Sequence, residues 1–295
     1  MSNKKSQAKN KPVNKSIQKK IKKTKKKQNN VIKKNNRSKK KTSKPLNRKI
    51  KKNMKIIPHT NMNVSNNLSI SVIASTNKEK YVNNIFENYK RQKYEKKELI
   101  IILNDNKLDL EKYKQKAAEY NNVRVFHIDE KKDLSDCINF GAAQSSCDLI
   151  AKFDDDDYYG PYYLTEAVYA IEKFNAGVVG KSRFYAYFED SRKIGIRRNG
   201  VENGYTGYIH GPTLVIKRKV FNKFKFKNMS HGADQHFLRD CKKNKIKIYS
   251  TTRKNFIYIR HKSLQHHTWK IKNSNFMRQF RIIRKTNDYI PYSKI

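Results

Sequence analysis

The 295-residue chain carries 68 Lys+Arg against 25 Asp+Glu, a formal net charge of +43, and only 36% of its residues are hydrophobic. That length admits one large domain or two small ones. No apolar run approaches the ~20 residues of a membrane span, and the N-terminus lacks the apolar block of a secretory signal. The three cysteines, Cys137, Cys147 and Cys241, have no CxxC or metal-type spacing, which argues for reduced thiols and a cytosolic compartment.

The charge is unevenly spread. Residues 1–60 hold 24 Lys/Arg and no Asp or Glu, and the other 235 residues hold 44 basic and 25 acidic side chains. The basic segment has no Phe, Trp or Tyr, and its apolar residues, such as Val13, Ile17, Ile21, Val31 and Ile32, are scattered among Lys, Asn and Ser. Such a composition cannot bury enough apolar surface to offset an ordering entropy of about 1–2 kcal/mol per residue, so disorder is predicted. Folding is expected to start near Asn67.

From there strands and helices alternate. Leu68–Ala74 is a short β-branched run ending in Ser75-Thr76-Asn77, a strand and its turn. Tyr81, Val82, Ile85, Phe86 and Tyr89 recur at helical spacing. Leu99–Leu103 is a continuous apolar run that stops at Asn104-Asp105-Asn106, as a buried parallel strand does. Asp109 is placed to cap a helix carrying Leu110, Tyr113, Ala117 and Tyr120. Val123–Phe126 reads as a third strand, and Leu134, Cys137, Ile138 and Gly141-Ala142 mark a third helix. Leu149–Phe153 is a fourth strand running directly into Asp154-Asp155-Asp156-Asp157, and Gly160-Pro161 opens another helix. This alternation predicts an α/β fold, a mostly parallel Rossmann-like sheet with helices on both faces. Ligands in such sheets bind beyond the carboxyl ends of the strands, where the three polar clusters stand. After about residue 177 the pattern weakens. Ala176–Gly180, Phe184–Phe188, Pro212–Ile216, Ile246–Ser250 and Phe256–Arg260 read as strands of a smaller mixed or antiparallel region.

Four consecutive aspartates at a strand end repel one another, and burial raises that cost unless a cation or proton compensates. Hard divalent ions such as Mg²⁺ and Mn²⁺ take one or two carboxylates together with substrate phosphates. An Asp-x-Asp here could therefore hold a metal that bridges a nucleoside diphosphate; the alternative is a solvated acidic turn.

These residues carry a resemblance. The segment from Leu68 to about Leu164 resembles the nucleotide-binding half of family 2 glycosyltransferases, which have the GT-A fold. Ala74-Ser75-Thr76-Asn77 is similar to their first-strand turn, and Asn104-Asp105 to the acidic pair ending their second strand. Asn139-Phe140-Gly141 matches their Asn-x-Gly, and Asp154–Asp157 with Tyr159 and Pro161 their metal motif. Gly207–Val215 with Lys217–Phe221, His231–Phe237, and Arg260-His261 through Trp269 continue the match to about residue 270. The Asn-Phe-Gly helix, the Phe153–Tyr159 run and the His-His-Thr-Trp ending resemble bacterial members, some acting in spore-surface or cell-surface glycosylation. Asn104 stands where the family has Asp, Ala233 where it has Glu, and Ile138 where Arg is common.

The resemblance implies a domain at 67–270, with a nucleotide-sugar half at 67–165 and an acceptor half at 166–270. The basic tail at 1–66 precedes it and a basic extension at 271–295 follows. It implies nucleotide-sugar contacts from Ser75, Thr76, Asn104, Asp105, Asn139, Asp154 and Asp155, with Asp105 receiving a hydrogen bond from a uracil or thymine base. Asp155 and Asp157 also shape the turn. Asp156 is the implied metal ligand for Mn²⁺ or Mg²⁺, with His267 or His266 completing the shell and His261 a third candidate. Asp234 is the implied general base for an inverting single displacement, its rival role being a helix N-cap. Lys131, Lys132 and Lys181 suit a diphosphate by charge. Tyr158, Tyr159, Tyr162 and Tyr163 fit either a sugar site or core packing.

The implied partners are a nucleotide-sugar donor and a glycan, protein or lipid-linked acceptor. Residues 1–60 suit an anionic polymer or membrane surface, at the periphery of a membrane or surface layer. The competing reading is a polyanion-binding or structural coat protein using an inactive copy of the fold, since a lysine-rich arm attracts polyanions without sequence preference. The absence of interleaved aromatics weakens single-strand recognition.

Overall fold

A computed structural model of the chain describes residues 64, 67–229, 231–263 and 270–294. The predicted disordered segment 1–60 and the pair His266 and His267 lie outside the described residues.

Four strands, β1 (Ile70–Thr76), β2 (Lys97–Leu103), β3 (Val123–His127) and β4 (Leu149–Asp154), pair in parallel in the order β3-β2-β1-β4. They alternate with α1 (Val82–Lys90), α2 (Leu110–Ala117) and α3 (Leu134–Ala143), as the sequence pattern predicts. The sheet is dry on both faces. Ile70, Val72, Ala74, Leu99, Ile101 and Leu103 join one apolar cluster, whereas Ile73, Ile100 and Ile102 join another with Cys137, Ile138 and Ala142. Each fully buried aliphatic side chain contributes about 1.5–3 kcal/mol, which is why these strands read as unbroken apolar runs.

Local signals set the helix starts. The Asp109 carboxylate accepts from the backbone N–H groups of Glu111 and Lys112 at 3.0 and 3.2 Å. Asp133 and Asp136 form a reciprocal capping box at the start of α3, satisfying donors that the helix itself cannot. In α3 a Cβ on Gly141 would lie 2.6 Å from Ile73 Cγ2. Only glycine lets this helix approach β1 so closely.

The second half extends this sheet and builds another. After β5 (Tyr158–Tyr159) and α4 (Tyr163–Lys173) come β6 (Val178–Gly180), β7 (Tyr185–Phe188), β8 (Lys193–Arg197), β9 (Gly204–Tyr205) and β10 (Val215–Lys217). Then follow α5 (Arg218–Phe224), α6 (Ala233–Lys243), β11 (Ile248–Ser250), β12 (Phe256–Arg260), α7 (Asn273–Met277), β13 (Phe280–Lys285) and α8 (Ile290–Ser293). The first sheet continues from β4 through β10, β6 and β11 to β9, with β10 antiparallel to both of its neighbours. The second sheet has the order β13-β8-β7-β12-β5.

The strand expected at Pro212–Ile216 is shorter, because Gly211–Thr213 forms a 3-10 turn and pairing begins only at Val215. Residues 273–293, read from the sequence as part of a basic extension, contribute β13 to the second sheet. Phe276 and Phe280 are buried there, and the Asn255 N–H donates to the Ser293 carbonyl at 2.8 Å.

Candidate active site

The four aspartates form the turn between β4 and β5. Parallel register sets Ser75 beside Asp154 and Thr76 beside Leu103, so the ends of β1, β2 and β4 open at one rim. The turn is tied down from below. Asn84 Nδ2 donates to the carbonyls of Asp155 and Asp157 at 2.8 and 2.9 Å, and Asn88 Nδ2 to that of Asp157 at 2.8 Å. The Tyr159 hydroxyl accepts from the Asp154 N–H at 2.8 Å and donates to the Pro212 carbonyl at 2.7 Å. Its ring stacks on Phe153 at 3.7 Å. Tyr158, Tyr159 and Tyr163 are buried, so packing, the second of their two sequence readings, describes them.

Each carboxylate has its own environment. Asp154 accepts from the Lys152 ammonium. Burial pushes the Asp154 carboxyl up, Lys152 holds it back, and Asp156 and Asp234 push it up again, with a net rise. Asp155 accepts from the Thr76 hydroxyl at 2.6 Å; burial first, and then the Asp156 charge, push its carboxyl up to about 7. Asp157 is buried and accepts from the Ile259 N–H at 2.8 Å, while its Oδ2 has no hydrogen-bond partner among the described residues. Burial and the neighbouring Asp156 and Asp154 charges raise it well above the carboxylate range. The run is thus short of positive charge.

Asp156 faces His261. Its Oδ2 lies 3.2 Å from His261 Nε2, and the other ring nitrogen lies 2.9 Å from Glu189 Oε2. The Tyr81 hydroxyl is 3.1 Å from Nε2. Of the three histidines considered from sequence, His261 is therefore the one the described residues bring to the acidic run. A carboxylate behind an imidazole orients the ring and fixes its tautomer, and Glu189 stands in that position behind the nitrogen that faces Asp156.

Among the described residues no group of three or more His, Cys, Asp or Glu side chains forms a ready-made metal cage. Asp156 Oδ2 and His261 Nε2 nevertheless fit a hard cation. Two ligands at about 2.1 Å in a right-angled arrangement are about 3 Å apart, and an ion of this kind takes its other positions from water and phosphate. The excess negative charge of the run and the orphaned Asp157 oxygen point the same way.

Asp234 approaches from the other side. Gly232, with φ of 80°, is the N-cap of α6 and no side chain caps the helix, so Asp234 sits in the first turn and is not the cap. A Cβ on Gly211 would lie 1.8 Å from Asp234 Oδ2; the missing side chain is what admits the carboxylate. Asp234 and Asp154 both act on the buried Lys152. Burial depresses that ammonium, but the carboxylate charges outweigh it and raise the net pKa.

Of the remaining sequence-predicted residues, Asn104 Nδ2 donates to the carbonyls of Asp129 and Lys132 at 3.0 and 3.3 Å. Asp105 Oδ1 accepts from the Lys107 N–H at 2.9 Å at the exit of β2. Both amide ends of Asn139 are taken by the Phe226 backbone at 2.7 and 3.0 Å. It clamps the segment after α5. Ser75 is half-buried at the rim. Lys181 is 1% exposed and bonds Glu166 Oε2 at 2.9 Å and the Thr252 carbonyl at 2.8 Å. It cannot meet a diphosphate, and its charge is consumed inside the fold.

Sequence reading missed Lys152, Glu189, Asn84 and Asn88. Lys152 interrupts an apolar strand two residues before Asp154, a signal visible in the sequence; the other three lie on segments with no motif.

The parallel half-sheet, the acidic turn at its switch point and the carboxylate facing it across a glycine define an α/β fold of the GT-A kind. The match to the family model described as "Glycosyl transferase family 2" runs over residues 71–290, and the chain belongs to that family. Solved structures with the same fold include Staphylococcus aureus TarS in complex with UDP-GlcNAc. The two share 17% identity and a TM-score of 0.55 over 66% of this chain and 60% of that one. Another is the mannosyltransferase PcManGT from Pyrobaculum calidifontis in complex with GDP-Man and Mn²⁺. Here identity is 14% and the TM-score 0.53, over 71% of this chain and 60% of that one. The chain therefore spans about three fifths of the length of these structures. No curated protein matches it. Among the described residues no helix is long and apolar enough to cross a membrane.

Proposed function

We propose that the chain transfers a sugar from a nucleoside-diphosphate donor to an acceptor hydroxyl, with inversion and with a divalent cation. The observation that carries this reading is the convergence of Asp154, Asp156, His261 and Asp234 on one rim, above strands whose ends carry Thr76 and Asp105. The TarS and PcManGT complexes, with UDP-GlcNAc and with GDP-Man and Mn²⁺ respectively, support a nucleotide sugar as the donor class.

Asp105, at the end of β2, accepts from the N–H of a uracil or thymine base. Thr76, Ser75 and Asp154 flank the ribose, and Thr76 keeps Asp155 hydrogen-bonded while they do. Asp156 and His261 would hold a Mn²⁺ or Mg²⁺, which would supply charge neutralisation on the departing diphosphate. Lys152 fixes the Asp154 carboxylate and places positive charge beside Asp234. Asp234 takes the proton of the acceptor hydroxyl as that oxygen bonds to the anomeric carbon. The carbon–oxygen bond to the diphosphate breaks in the same displacement, and the nucleoside diphosphate leaves with the electron pair.

The test is turnover of UDP-, dTDP- and GDP-sugars with Mn²⁺ or Mg²⁺, alongside Asp156→Ala. Metal-dependent release of the nucleoside diphosphate that is lost in the variant is the expected result. No binding of any nucleotide sugar would remove the donor-site reading.

A further inference from the structure

Beyond Asp234 the rim continues into a group of side chains that the transfer step does not use. His210 directly precedes Gly211, against which the Asp234 carboxylate packs. Its ring stacks on Phe184 at 4.1 Å and 11°, and meets the Tyr258 ring edge-on at 5.2 Å. Tyr258 in turn stands in the field of Asp157 and Asp156. The wall formed by Tyr258, His210 and Phe184 therefore leads from the acidic turn to the end of β8.

Arg197 ends that strand. Its Nη1 donates to the Tyr208 hydroxyl at 2.5 Å, and its guanidinium carbon lies 4.5 Å from the Tyr208 ring centroid and 5.4 Å from that of Phe184. Among the described residues no carboxylate lies within ion-pair distance of it. The nearby Glu202 is already shared by Arg183 and Arg253, at 3.7 and 3.4 Å. Arg197 is half-buried, so its planar fork is oriented by two rings and a hydroxyl before any ligand arrives. A guanidinium so fixed loses less freedom on binding than a free one, and its fork suits a carboxylate or phosphate.

His210 adds a second polar group. Its Nε2 is buried and has no hydrogen-bond partner among the described residues. Burial, followed by the Arg197 and Lys152 charges, depresses its pKa well below the ordinary histidine range. A buried ring nitrogen left unbonded costs free energy that a ligand group recovers, and a neutral imidazole meets a hydroxyl without competing for the anion.

We propose that Arg197, Tyr208 and His210 form an acceptor subsite for a sugar or polyol bearing an anionic group, a phosphate or a carboxylate. Arg197 binds the anion, and His210 binds a neighbouring hydroxyl. This inference rests on the proposed glycosyl transfer for its meaning, but the binding itself does not require it. The acceptor would then be a negatively charged glycan or polyol, selected by charge as well as by shape.

The test uses the full chain and three probes titrated at one ionic strength: glucose 6-phosphate, glucuronate and glucose. The lysine-rich segment 1–60 attracts both anions but not glucose, so the subsite is read from the change in preference between the wild type and the variants, in which that contribution is the same. The wild type is expected to bind one or both anions about tenfold more tightly than glucose, the size of a single charge-assisted contact. Which anion gains more identifies the phosphate or carboxylate. Arg197→Met reduces that preference to less than threefold, and Arg197→Lys gives an intermediate value. Tyr208→Phe leaves the charge but removes the hydroxyl that orients it, so the preference falls even if Arg197→Met does not fold. Equal binding of glucose and both anions by the wild type, or an undiminished preference in the arginine and tyrosine variants, would overturn the subsite. Thermal shift with UDP or GDP and Mn²⁺ is run on the same samples. Nucleotide binding without anion preference removes the subsite alone, and arginine-dependent anion preference without nucleotide binding removes the donor reading alone.

Discussion

Replacing Asp155 with Asn removes a carboxylate that the fold holds at a cost. Its carboxyl sits at about 7, against an ordinary 3.8, because partial burial and then the Asp156 charge disfavour the ionised form. A raised acid binds its proton more tightly in the folded state than in the unfolded one, so stability falls as pH rises between those two values. The contribution is complete below about pH 3.8 and gone above about pH 7. Three pH units correspond to about 4 kcal/mol in full. The side chain is only half-buried, and solvent screening reduces this to roughly 1–2 kcal/mol. Asn mimics the protonated acid at every pH and can still accept from the Thr76 hydroxyl. In metal-free buffer at pH 8, Asp155→Asn is therefore expected to melt roughly 3–6 °C above the wild type for a domain of this size. The gap narrows as pH falls toward 5. The assay is thermal unfolding from pH 5 to 8 with chelator present. A variant less stable than the wild type at pH 8, or a gap that does not change with pH, would refute the reasoning.

Three further outcomes follow from the same geometry. Asp234→Asn lowers transfer by about 10²–10⁴-fold, the range for loss of a general base, while nucleotide binding by thermal shift stays within a factor of two or so of the wild type. Lys181→Met strands the Glu166 carboxylate and costs about 3–5 kcal/mol in denaturant unfolding; adding Glu166→Gln recovers part of the loss, and no loss in the single variant would contradict the buried pair. Tyr159→Phe leaves the Asp154 N–H and the Pro212 carbonyl without their shared hydroxyl, so a loss of about 1–3 kcal/mol is expected by the same measurement.

The parallel half of the fold was legible because its strands are buried on both faces and its helices are amphipathic. Leu99–Leu103 and Leu149–Phe153 stand out as apolar runs, and Asp109 announces a helix start, as its two backbone hydrogen bonds bear out. The second half hid its short strands. Lys193–Arg197 and Phe280–Lys285 pair with each other across 83 or more residues, and nothing local in either segment marks the partner. The site was legible in its carboxylates and less so in their supports. Four adjacent aspartates point to a cation, whereas the Asn84 and Asn88 amides that hold the turn look like ordinary surface residues of a helix. His261 was one histidine among several until β12 and β7 brought it between Asp156 and Glu189. Asn139 shows the opposite case: the motif residue was visible, but its amide is spent on the Phe226 backbone. Lys181 was visible as a charge, and its burial against Glu166 depends on a packing that the sequence does not display.

In the proposed reaction the acidic turn binds a nucleotide through a divalent cation. Calorimetric titration of UDP and of GDP into the full chain, with Mn²⁺ and again with chelator, tests it most directly when Asp156→Ala is measured in parallel. One nucleotide is expected to bind with Mn²⁺, about tenfold or more weakly in Asp156→Ala, and likewise more weakly when the metal is removed. Nucleotide binding of equal strength with and without both Mn²⁺ and the Asp156 carboxylate would contradict it.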